Sequence, residues 1–153
     1  MSSEQEPLIK EVIAYLRVKG APQAISFYQK VFGAKETFRL SEPSGRVGHA
    51  ELEIGGCKVM LSDEHPEHGI LGPESLGGVA AAMYLQVDNV DQLWTDAIAA
   101  GATVVTPLAD QFYGERSGKI RDPFGHHWML SQTIEQLSME EMQKRFDAMF
   151  TSA

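Results

Sequence analysis

The sequence predicts an α+β fold: two βαβββ modules in tandem, followed by a C-terminal helix. Three observations predict it. The first is internal repetition. Tyr15-Leu16-Arg17-Val18 returns as Tyr84-Leu85-Gln86-Val87, and Met60-Leu61-Ser62 returns as Met129-Leu130-Ser131, each 69 residues further on. Ser117–Ser131 restates Ser44–Ser62: both open on Ser-Gly, a cation and a β-branched residue, and both close on a glycine and then Met-Leu-Ser. A long fixed period sets the architecture before any local reading. The second observation is strict two-residue alternation, clearest over Val47–Ile54, which marks a strand with one covered face. The third is a pair of runs at helical spacing, stopped by Gly33-Ala34 and Gly101-Ala102.

Taken in order, residues 1–10 read as a loose leader and Val12–Val18 as a strand rich in β-branched and aromatic residues. Gly20-Ala21-Pro22 ends it, with Pro22 placed to open a helix. Ala24, Ile25, Phe27, Tyr28, Val31 and Phe32 form that helix's apolar stripe. Lys35–Leu40 is a strand, Glu42-Pro43-Ser44-Gly45 a hairpin turn, and Cys57–Ser62 a fourth strand after Gly55-Gly56. Residues 63–79 lack periodicity and read as a linker over the surface. The second module begins with Ala81–Val87. Asn89 with Gln92 forms a capping box ahead of the stripe Val90, Leu93, Trp94, Ala97 and Ile98. Thr103–Leu108 is a strand, Gln111–Ser117 an irregular loop, and Lys119–Arg121 and His127–Ser131 the last strands. Asp122-Pro123-Phe124-Gly125 has the composition of a type I turn. Ser138 and Glu141 cap a final helix whose Met139, Met142, Phe146 and Met149 share one side. The organisation expected is one domain over 1–153: module one 11–62, linker 63–79, module two 80–133 and C-terminal helix 138–150.

With 43% hydrophobic residues the chain can build a core. A net charge of −8 argues against a nucleic-acid partner, which needs clustered cations. No apolar run approaches the ~20 residues of a membrane span. The N-terminus carries no hydrophobic signal segment. One cysteine, Cys57, cannot form an internal disulfide and suits a reducing cytoplasm.

Tandem modules of this kind resemble the vicinal oxygen chelate superfamily of glyoxalases, extradiol dioxygenases, and fosfomycin- and bleomycin-resistance proteins. Tyr113-Gly-Glu-Arg116, Asp122-Pro-Phe-Gly-His126-x-Trp128, Gly45-Arg46-Val47 and His49-Ala-Glu51-Leu resemble its PhnB-like subgroup. The resemblance spans about residues 11–133. It implies curved mixed sheets, covered by helices on one face and turned to a ligand on the concave other. Strand alternation then divides the residues. Tyr15 and Arg17 face the cleft, as do Tyr84 and Gln86; so do His49 and Glu51, Lys58 and Met60, and His127 and Met129. Tyr113 and Arg116 sit where a loop would close over that cleft, Arg116 either holding an anionic or planar group or forming a structural salt bridge. Cys57 and Trp128 fall on the core-facing parity.

The resemblance also implies where a metal would sit, one cleft-facing position on each first and fourth strand. Those positions hold Ile13, Met60, Ala82 and Met129. Isoleucine and alanine cannot coordinate, and thioethers are soft ligands. The expectation is therefore no metal and no cofactor. His49 and Glu51, joined by His127, are the remaining candidates for a displaced metal site; His65 and His68 in the polar linker read as exposed. The function expected is metal-independent small-molecule binding of the sequestration or resistance type, by a cytoplasmic homodimer with a docking face on its last helix. The rival is a lyase or isomerase that uses a displaced metal, or Glu51 or His49 as catalytic general base.

Overall fold

The computed structural model describes residues 5–151, so part of the leader read over 1–10 lies outside the described residues. The first half contains β1 (Ala14–Val18), α1 (Ala21–Phe32), β2 (Lys35–Ser41), β3 (Val47–Ile54) and β4 (Cys57–Asp63). A 3-10 turn, Pro66–His68, and the short α2 (Pro73–Leu76) follow. The second half contains β5 (Ala82–Gln86), α3 (Val90–Ala99), β6 (Thr103–Asp110), β7 (Glu115–Arg121) and β8 (His127–Thr133), and the chain continues into α4 (Met139–Thr151). The sheets are ordered β1-β4-β3-β2 and β5-β8-β7-β6, with the first pair parallel in each and the rest antiparallel. The repeat is thus a repeat of topology. It holds in register too: Tyr15 lies beside Met60 and Tyr84 beside Met129.

Each helix start is held by a residue 69 positions from its counterpart. At α1 the preceding Gly20 is left-handed and supplies no side-chain cap. Asp63 does so from β4, its Oδ1 accepting the N–H groups of Gly20 (2.9 Å) and Ala21 (2.7 Å), and its Oδ2 that of Val47 (2.7 Å). A carboxylate suits the positive end of a helix dipole. At α3 the equivalent Gln132 accepts the N–H of Val90 (3.0 Å), while Asn89 caps Gln92 (3.2 Å) as its sequence predicts.

Leu16, Val18, Ala50, Leu52, Val59 and Leu61 bury one face of the first sheet, as do Ala24, Ile25, Tyr28 and Val31 of α1. Each large aliphatic side chain buried in this way contributes about 1.5–3 kcal/mol. Trp128, Leu130 and Ile120 line the core side of the second sheet. The halves meet there: Tyr28 and Phe32 of α1 lie 5.3 and 4.6 Å, ring to ring, from Trp128, and α1 also touches α3. Because the helix-covered sides face each other, the two open sheet faces look outward in one chain.

Several expectations are corrected. Cys57 is exposed, not packed in the core, because it opens β4 at the far end of the Gly55-Gly56 hairpin. The loop expected over Gln111–Ser117 is shorter: β6 extends to Asp110 and β7 begins at Glu115, pairing with β8 from there, so only residues 111–114 form the turn. The linker is anchored. Buried Glu64 accepts the Gly72 N–H at 2.6 Å, and Gly72 lies so close to β1 that a Cβ would stand 2.8 Å from the Arg17 carbonyl oxygen. His65 is half-buried, 3.6 Å from Glu42, rather than exposed.

One buried carboxylate joins the halves. Asp122 accepts the Tyr28 hydroxyl (2.6 Å), the Trp128 indole N–H (2.8 Å) and the backbone N–H groups of Phe124 (2.9 Å) and His126 (3.0 Å). Burial and the Asp122 carboxylate push the Tyr28 phenol well above its ordinary pKa. Replacing Asp122 with alanine strands two buried side-chain donors at about 1–3 kcal/mol each. The expected loss is about 4 kcal/mol, or roughly 8–16 °C in Tm for a chain of this size. Tyr28→Phe, which leaves the carboxylate its other donors, is expected to lose about 1–1.5 kcal/mol; thermal denaturation of both variants checks the order.

Candidate functional site

On the first open face, β1 and β3 place Tyr15, His49 and Glu51 in a chain. The Tyr15 hydroxyl is 2.6 Å from His49 Nδ1, and His49 Nε2 is 2.9 Å from Glu51 Oε2. A carboxylate only accepts, so His49 carries its proton on Nε2 and takes the tyrosine hydroxyl at Nδ1. Lys58 reaches Glu51 Oε1 from β4 at 3.3 Å. The hydrogen bond from His49, then that from Lys58, holds the Glu51 carboxyl below its ordinary pKa. Arg17 lies over the Tyr15 ring, 4.0 Å from its centre, and donates to Ser62 Oγ at 2.6 Å. Phe38 and Leu40 lie opposite Glu51 and His49 in register and stand half exposed. The face thus joins a polar relay to uncovered apolar surface.

The second open face follows the same plan with different residues. The Tyr84 hydroxyl donates to Glu115 and lies 2.9 Å from Gln86 Oε1, while Gln86 donates to Thr133 Oγ1 at 2.7 Å. Burial, reinforced by Glu115, raises the Tyr84 pKa. Ser117 and Ser131 hydroxyls pair at 2.7 Å beneath. His127 sits across from Arg121, and Met129 across from Lys119.

Strand alternation brings Tyr15, Arg17, His49, Glu51, Lys58 and Met60 to one face, and Tyr84, Gln86, His127 and Met129 to another. His127 does not join His49 and Glu51 within a chain; it lines a separate cavity with Arg121 and Thr103. It is the neighbouring His126 that approaches the first face, its Nε2 2.8 Å from the Arg17 carbonyl oxygen. Nor does Arg17 pair with Glu51; His49 and Lys58 do. Arg116 is also displaced from the expected site. It points to the helix side of β7 and forms ion pairs with Asp91 of α3 (3.0 Å) and Asp110 (3.1 Å), the structural alternative for this residue. Tyr113 packs edge-on against Phe112, which in turn meets Phe146 of α4. Sequence reasoning missed Glu115, Lys119 and Arg121, which become visible once β7 is known to begin at Glu115 and its alternation is counted. It missed Phe38 and Leu40 because β2 was read without a face.

Among the described residues, no group of three or more His, Cys, Asp or Glu side chains is arranged to hold a metal ion. Ile13, Met60, Ala82 and Met129, the positions that the sequence resemblance marks for metal ligands, carry no donor that fits a hard cation. Two like sheets, each with an open face carrying a tyrosine beside a methionine, define a tandem βαβββ protein. The chain belongs to the Glyoxalase/Bleomycin resistance protein/Dioxygenase superfamily, which it matches over residues 9–130. It is 45% identical over 132 residues to the Mycobacterium bovis protein Mb0911c, covering 84% of this chain and 87% of the relative. Among solved structures it resembles the PhnB protein from Bacillus cereus (TM-score 0.64, 19% identity, 81% of this chain and 100% of that one). The fosfomycin resistance protein FosX from Listeria monocytogenes is similar in fold as well (TM-score 0.65, 19% identity, 90% and 99%).

The surroundings of Glu51 make a pH prediction. A depressed carboxylate pKa means that its ion pairs persist from above the unfolded value down to the folded one, and are lost as pH falls through the latter. Carboxyl-carbon NMR is expected to place the Glu51 midpoint below that of an ordinary glutamate, and Lys58→Met is expected to raise it. A midpoint above the ordinary value would restore Glu51 as a strong general base.

Proposed function

We propose that this chain is a small-molecule binder of the sequestration or resistance type, working as a cytoplasmic homodimer without a metal at the family's usual positions. One observation carries the reading. Where ligands for a hard cation would converge, each face instead presents a methionine beside a tyrosine, next to a preformed polar relay. Apolar surface with a few fixed polar groups is what a small-molecule site requires. Glu51, tied to His49 and Lys58 and kept ionised, orients and hydrogen-bonds better than it abstracts protons.

The dimer is supported by the direction of the faces. In one chain they look apart, and Tyr15, Phe38, Leu40 and Tyr84 stand 38–57% exposed on them. Contiguous apolar exposure of this kind marks a surface that another body covers. The first face of one protomer, closed by the second face of another, makes a cleft with both relays inside it. Sedimentation is expected to report two chains per particle, with Leu40→Glu shifting the population toward single chains and weakening ligand retention. Tight ligand binding by a monomer would overturn the shared cleft.

Metal independence is tested by thermal shift. A metal at ~100 times its Kd adds about 2.7 kcal/mol of stability, worth several degrees at roughly 2–4 °C per kcal/mol. Ni, Zn or Mn is expected to move Tm by close to nothing. A shift of several degrees that His49→Ala or Glu51→Ala abolishes would favour the displaced-metal lyase or isomerase instead.

A further inference from the structure

The chain has six arginines in a protein of net charge −8. Four of them, Arg39, Arg46, Arg116 and Arg145, are held by carboxylates. Arg17 is committed to the Tyr15 ring and Ser62. Among the described residues, Arg121 is the one arginine with neither a hydrogen bond nor an ion pair to its side chain. In so acidic a chain, an unpaired guanidinium on the open face is an available site for an anion.

Its surroundings build that site. Arg121 and His127 lie opposite each other on β7 and β8 and line a cavity of about 750 Å³, within the size range of small-molecule pockets. The linker segment Pro73–Val79 forms the far wall. That wall is fixed against the β7–β8 turn, since a Cβ on Gly125, whose φ is +98°, would stand 2.6 Å from Pro73. Lys119, two residues before Arg121 on the same face, also has no ion-pair partner among the described residues. Two carboxylates also line the cavity: Glu74 makes no ion pair with either cation, and the Asp122 oxygens are taken by Tyr28, Trp128 and the N–H groups of Phe124 and His126.

Resting on the binder reading above, we propose that this cavity holds an oxyanion, a carboxylate or phosphate group of the bound small molecule, with Arg121 as the forked donor, His127 beside it, and Lys119 adding its charge from just outside the lining, two residues along the same strand face. A guanidinium presents paired N–H groups that match such oxygens. His127 reports on the site. Burial first, then the charges of Lys119 and Arg121, lower its pKa, with His126 acting in the same direction and Asp122 opposing. Glu74 faces the cavity from α2. An anion between the cations cancels part of the repulsion and raises the His127 pKa.

The test is NMR of the His127 ring in the full chain, titrated with inorganic phosphate and separately with acetate at constant ionic strength. The expected result is saturable movement of the His127 signals with one or both anions and a raised His127 midpoint. Arg121→Gln and Lys119→Gln should each weaken that binding at least tenfold, and Lys30→Gln on α1 should not. The better-bound anion names the group. Unsaturable movement, or equal movement in wild type and Arg121→Gln, overturns the proposal. A neutral aromatic compound bound equally by wild type and Arg121→Gln overturns the anion and leaves the binder standing. Phosphate held at Arg121, with no organic molecule retained in native mass spectrometry of the protein, overturns the binder and leaves the anion site standing.

Discussion

The arrangement of the two modules depends on Asp122. A buried carboxylate is costly unless hydrogen bonds replace its water, and this one is satisfied by donors from three places: its own turn, β8, and α1 of the other half. Tyr28 can donate only if α1 lies against the core side of the second sheet. That contact carries Phe32 onto Trp128 and sets the helices of both modules inside. Everything on the open faces follows from it, because a sheet whose helix side is turned inward must turn its other side to solvent or to a second molecule.

The open faces show how a repeat diverges while its frame is kept. Tyr15 and Tyr84 hold equivalent places, yet one hydroxyl meets His49 and the other Glu115. Ser62 and Ser131 are equivalent as well, the first receiving Arg17 and the second pairing with Ser117. The frame positions, by contrast, keep their function: Asp63 and Gln132 both hold the start of a helix. Backbone donors at a helix terminus need a partner whatever the ligand, whereas open-face residues answer only to what binds there. Arg121 and Lys119 lie on the second face and the histidine relay on the first, so the two faces offer unlike chemistry.

The sequence by itself determined the repeat, the strand and helix order, and the faces of β1, β3, β4, β5 and β8. It did so because a two-residue period and a glycine-stopped helix are local properties that neighbours in the chain impose. It also placed Asn89, Ser138 and the Asp122–Gly125 turn, which are short-range hydrogen-bonding signatures. The rest was decided by tertiary structure. Whether Arg116 faced a ligand or Asp91 depended on where β7 begins and where α3 lies, and nothing within a few residues of it records either. Cys57 had the parity of a core residue, yet as the first residue of β4 after the Gly55-Gly56 hairpin it is exposed. His127 and His49 share a parity but not a cavity, because contacts far apart in the chain, Tyr28 with Asp122 and Phe32 with Trp128, set which way each sheet looks.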